Sequence, residues 1–185
     1  MSRFVMMDAA ILADTALMTA IMGVPAAMLL VYAALHDFAA RTVPNWLPLC
    51  LLALGAALRL LDHSLLAGLA VAAGTFVLLF VVWMFGAVGG GDVKLWAATA
   101  LLIPPLWQPE LSFFLHVVLL GGGLALLYLL LCLVVPRPHA SRAGGLLRRV
   151  LRVEAWRIKR RASLPYAFAI SGGAILTLLP LSFQR

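Results

Sequence analysis

Leu65 to Val88 is a stretch of 24 residues without a single charge. At 1.5 Å per residue, about 20 apolar residues in a helix cross the hydrocarbon core of a bilayer. This stretch therefore specifies a transmembrane helix, long enough to tilt. Ala16 to Leu35 and Leu111 to Val135 read the same way, and Trp46 to Leu61 and Leu164 to Leu181 are shorter versions. Leu95 to Leu106 is too short to cross alone. The span it belongs to is expected to start earlier, which places Asp92 and Lys94 just below the headgroups in a bundle interior. The fold class that follows is an all-α polytopic membrane protein of about six transmembrane helices, with the N-terminus outside.

Composition excludes a water-soluble domain. The chain is 64% hydrophobic and 11% charged, with a mean hydropathy of +1.07. Soluble domains average about 45–50% apolar and about 25% charged residues. Residues 1–185 read as a single membrane-embedded domain. Asp8 and Asp14 interrupt the apolar N-terminal stretch, which argues against a cleaved secretory signal.

The net charge of +7 matters less than its placement. Nine of the 14 basic residues lie between Arg137 and Arg161, in a basic loop spanning 137–163. Flanked by spans, this block reads as a cytoplasmic loop obeying the positive-inside rule, not as a nucleic-acid site. With six spans the loop shares its face with Arg41 and Lys94, leaving Arg3, Arg59 and Arg185 outside. Arg59 is expected to snorkel at the outer end of its span. Within the loop, Leu147, Val150, Leu151 and Ile158 fall on one side of a helical wheel and Arg148, Arg149, Arg152, Lys159 and Arg160 on the other. Such a helix would lie on anionic lipid headgroups.

Two carboxylates share the cytoplasmic face of this topology. Asp92 follows Gly89-Gly90-Gly91 at the end of one span, and Asp37 follows the span Ala16 to Leu35 in a loop holding Arg41, Pro44 and Asn45. An ionisable residue at a bilayer edge is costly to keep and counts as a functional candidate. Peptide hydrolysis by aspartates needs one carboxylate to take a proton from water and a second acid to give one up. Two neighbouring carboxylates share that proton, so their titration belongs to the pair. Taken singly, Asp37 also reads as a loop acid paired with Arg41, and Asp92 as a helix N-cap. Paired intramembrane acids also mark proton relays, so a small ion- or proton-conducting protein is an alternative, as is an inactive assembly scaffold. Lys94 opposes proton sharing if it points inward; pointing outward, it meets headgroups or orients Asp92. His36 adjoins Asp37 and is a candidate to tune it.

Gly89 and Gly91 fit the G-x-G-D motif of membrane-embedded aspartic proteases. His36 to Asn45 resembles the first-aspartate segment of type IV prepilin peptidases, in which an aspartate precedes a basic residue and a Pro-Asn pair. Leu164-Pro165-Tyr166-Ala167 is similar to the Pro-Tyr-Gly opening of that family's last span, with Ala167 where glycine is usual, a change bearing on packing more than chemistry. The resemblance implies an aspartic endopeptidase with Asp37 and Asp92 catalytic and Gly89, Gly91, Lys94, Pro44 and Asn45 in support. It implies a prepilin precursor as substrate, cut on the cytoplasmic side of a bacterial inner membrane. The small size looks most like the minimal peptidases of tight-adherence pili; archaeal preflagellin peptidases are related.

No metal or cofactor is expected. The histidines show no ligand spacing, and Cys50 and Cys132 lie in different spans without a C-x-x-C pair. Larger members of the resembled family also methylate their product, through a domain inserted before the second span. Here Phe38 to Asn45 is the whole of that connection, so no methyltransferase activity is expected. Gly121-Gly122-Gly123 and Gly172-Gly173 are read as sites of close helix packing.

Overall fold

A computed structural model describes residues 22–134, 155–156 and 164–183. The described residues form six helices and no strands. These are α1 (Met22–Ala40), α2 (Trp46–Leu61), α3 (Leu65–Met84), α4 (Gly90–Ala100), α5 (Trp107–Val134) and α6 (Tyr166–Phe183). The chain is thus an all-α polytopic membrane protein. Helices α1, α3 and α5 are long and apolar enough to cross a bilayer, while α2 and α6 are shorter apolar helices. The amphipathic helix expected in the basic loop lies outside the described residues, apart from Ala155 and Trp156.

Helix α2 has the predicted limits. Its neighbours differ in instructive ways. Helix α1 runs past Leu35 to Ala40, so Asp37 sits in its last turn instead of in a loop. The Arg41 N–H closes that turn on the Asp37 carbonyl at 2.7 Å, and Arg41 then takes φ 56°, which ends the helix. Helix α3 stops at Met84, four residues before Val88, and Gly86 turns the chain at φ 74°. Helix α4 begins at Gly90, ahead of the apolar run, and carries Asp92 and Lys94 as expected. It spans 11 residues, however, and Pro104 and Pro105 follow it. Helix α5 starts at Trp107, so Pro109 falls in its first turn, where no intrahelical N–H is needed, and does not break the chain.

Short α4 is the centre of the bundle. Val93, Leu95, Trp96 and Ala98 are buried on it, and it packs on α2, α3 and α6. The most extensive contact is between α5 and α6. Val117 is the reason for close approach there: a Cβ on Gly173 would stand 3.0 Å from its backbone nitrogen. Leu120 lies as close to Gly172, so both glycines of that pair pack as predicted. In the other run only Gly121 does so; Gly122 and Gly123 meet nothing within 4 Å. Leucines and valines on the outer faces of α3 and α5 are exposed, the arrangement that lipid requires.

One polar cluster marks the end of the bundle away from Asp37 and Asp92. Arg59 is 4% exposed and does not snorkel. Its guanidinium pairs with Asp62 at 2.6 Å, and Glu110 at the start of α5 lies within its electrostatic reach. Asp62 also accepts hydrogen bonds from Ser64, holding the α2–α3 turn in which His63 takes φ 57°. A charge removed from water persists only when paired, and this pairing draws Arg59 inward.

Candidate active site

Three helix ends converge at the opposite pole. The last turn of α1 supplies Asp37, the first turn of α4 supplies Asp92, and the first turn of α6 supplies Tyr166 and Ala167. Asp37 is 5% exposed. The Ala167 backbone N–H donates a hydrogen bond of 3.1 Å to its Oδ2. That N–H is one of the donors a helix start leaves unused. Alanine keeps it, so the substitution for glycine leaves this contact intact.

Asp92 is the third residue of α4, with Gly89 at the N-cap. It is not itself the cap. Its carboxylate turns back against the Gly89 backbone, in the manner of the acid in a capping box. A Cβ on Gly89 would stand 2.8 Å from Asp92 Oδ2. Gly91 has ordinary helical geometry; its need is space, since a Cβ there would come 3.3 Å from the Val43 Cβ. The glycines thus matter for close approach, while the bend itself is made at Gly86. Asp37 and Asp92 are near enough to interact electrostatically.

The remaining candidate residues tie the two segments together. Lys94 points outward, and its Nζ donates a hydrogen bond of 3.1 Å to Asn45 Oδ1. Asn45 precedes α2 and makes no side-chain cap. The Pro44 carbonyl accepts from the Leu47 N–H at 3.1 Å, closing the first turn of α2. His36 holds the same loop, its Nδ1 donating to the Thr42 carbonyl at 2.8 Å. Arg41 reaches α5: its Nη2 donates to the Tyr128 hydroxyl at 3.1 Å, and the guanidinium lies 5.6 Å from that ring's centre.

Sequence reasoning missed Tyr128, Val43 and the hydrogen bond from the Ala167 amide to Asp37. The Pro165-Tyr166 pair marked the start of α6, but nothing in it signalled contact with a carboxylate. Tyr166 stacks on Trp96 with ring centres 6.4 Å apart and lies within electrostatic range of Asp92. Among the described residues, no cluster of His, Cys, Asp or Glu has the form of a metal site, and Cys50 and Cys132 form no disulfide.

A model of the type IV leader peptidase family matches residues 24–133, from the start of α1 to the end of α5. No curated protein and no solved structure matches the chain.

Proposed function

The chain belongs to the type IV leader peptidase family, and from that premise we propose that it is an aspartic endopeptidase that removes the leader of a prepilin-like precursor. The observation that carries this reading is the meeting of Asp37 and Asp92, from separate helices, at one end of the bundle. One carboxylate takes a proton from water as it adds to the scissile carbonyl. The other gives a proton to the departing amine, and the shared proton is restored when the products leave. The Ala167 amide and the Gly89 backbone hold the two acids in place before substrate arrives.

The precursor's basic leader and apolar stem suit a site at a bilayer edge. The charge distribution favours the cytoplasmic face of a bacterial inner membrane, with the basic loop against anionic lipid. The substrate class closest to this reading is a tight-adherence-type prepilin. The eight residues Phe38 to Asn45 between Asp37 and α2, three of them still helical, offer no room for a methyl-donor pocket, so the product keeps a free amine. Co-expression with such a precursor tests the reading: a shortened product supports it, while an intact precursor beside a fully inserted protein overturns it.

A further inference from the structure

Arg41 ends α1 in a backbone conformation that glycine adopts freely and other residues resist. Its φ is 56°, and its N–H closes the last turn on the Asp37 carbonyl at 2.7 Å. Glycine would make this turn without strain. A strained residue persists only where its surroundings hold it, and here the arginine side chain does what glycine cannot. Its Nη2 donates a hydrogen bond of 3.1 Å to the Tyr128 hydroxyl on α5, and the guanidinium lies 5.6 Å from the centre of the same ring. A planar guanidinium gripped by an acceptor and a π face keeps little freedom.

Asp37 is thereby held from two sides. Its carbonyl is tied to Arg41, which Tyr128 fixes to α5. Its carboxylate is tied to the Ala167 N–H on α6. Helices α5 and α6 make the most extensive contact between described helices, so both ties end on one packed pair. The His36–Thr42 and Lys94–Asn45 bonds that secure the rest of the loop are exposed, whereas the Arg41–Tyr128 bond is partly buried. It is the tie that water competes with least. Reacting groups must be held within about 0.5 Å of their productive geometry, and a misplacement of about 1 Å costs about 100-fold in rate. What fixes the end of α1 therefore bears directly on the acid pair.

We infer that Arg41 and Tyr128 are a pair of positioning residues: Tyr128 anchors the Arg41 guanidinium to α5, and the anchored Arg41 holds the last turn of α1 so that Asp37 meets Asp92 at the separation the reaction needs. Neither residue exchanges a proton or touches the scissile bond. This inference rests on the peptidase reading above.

The test uses the full chain reconstituted in vesicles with a prepilin-like precursor, with rates expressed per folded molecule. Arg41→Gly suits the turn better than arginine does, so it should melt close to wild type. Its kcat should nevertheless fall about 30-fold, with KM changed by less than about threefold. Tyr128→Phe keeps the ring and removes the hydroxyl, and its kcat should fall about fivefold. Because the two residues act through one contact, Arg41→Gly with Tyr128→Phe should be no slower than Arg41→Gly alone. Arg41→Lys keeps a cation and a donor for Tyr128, and should recover at least about threefold of the rate lost in Arg41→Gly. A folded Arg41→Gly with kcat within about threefold of wild type overturns the inference. So do a loss carried by KM, which would make Arg41 a substrate contact, and losses that multiply in the double variant. Should Arg41→Gly not fold, wild-type kcat in Tyr128→Phe overturns it. Failure of the wild-type protein to cleave would defeat the peptidase reading itself, an outcome distinct from these.

Discussion

The Ala167 N–H and the Asp37 carboxylate are 130 positions apart in sequence and 3.1 Å apart in space. This bond joins the start of the last helix to the end of the first, and it makes α6 part of the candidate site. Ala167→Gly keeps the donor and should cleave within about threefold of wild type. Ala167→Pro deletes it, and losing this bond to a buried carboxylate costs about 1–3 kcal/mol. Cleavage by that variant should drop about 10- to 100-fold, read as initial rate on a purified precursor. Equal rates for the two variants would show that the amide is dispensable.

A glycine beside the acids and one in the α5–α6 seam should fail in different ways. Gly89→Ala pushes only the tip of the Asp92 side chain, so thermal stability should hold while cleavage is lost. Gly173→Ala meets the Val117 backbone, which cannot swing aside. Overpacking of this kind costs about 1–3 kcal/mol, so that variant should melt earlier with its residual folded fraction active. Melting curves and cleavage rates measured together separate the cases; a destabilised Gly89→Ala would contradict this division.

The Lys94–Asn45 hydrogen bond is exposed. Its loss in Lys94→Met should cost about 1 kcal/mol of stability and leave most of the cleavage rate. Abolished cleavage in a stable Lys94→Met protein would move Lys94 from support into the chemistry.

Much of this arrangement was legible in the chain. Uncharged runs such as Leu65 to Val88 determine helices because a bilayer sets their length. The early start of α4 followed from the shortness of Leu95 to Leu106. Periodicity and composition did not reveal where α1 ends, because Phe38, Ala39 and Ala40 suit a helix as well as a loop, and the stop is a backbone reversal at Arg41. Nor did they reveal that Arg59 turns inward: Asp62 stands only three residues on, but Glu110 and the α3 backbone at Gly68 that enclose the side chain come from other segments. Tyr166 and Ala167 were visible as a helix start; that the Ala167 amide reaches the Asp37 carboxylate is a property of the tertiary packing alone.

Topology can be read by labelling. In a background lacking Cys50 and Cys132, a cysteine at Gln108, exposed at the pole opposite the acids, should react with an impermeant reagent added to intact cells. A cysteine at Arg149 in the basic loop should not. The reverse pattern would place Asp37 and Asp92 on the outer face.

The product of cleavage should carry a free amine. Incubation of purified protein, precursor and a methyl donor should yield an unmethylated N-terminus by mass spectrometry. One added methyl group would refute the reading of the Phe38 to Asn45 connection.

The most direct measurement is precursor cleavage by Asp37→Asn and Asp92→Asn, each purified and shown to insert and fold. Asparagine keeps an oxygen able to accept the Ala167 N–H, so the fold should survive at position 37. In the proposed mechanism the two acids form one proton-sharing unit, so each single variant should lose cleavage by about 1,000-fold or more, and the double variant should be no worse. Cleavage at the wild-type rate by either single variant would contradict the account.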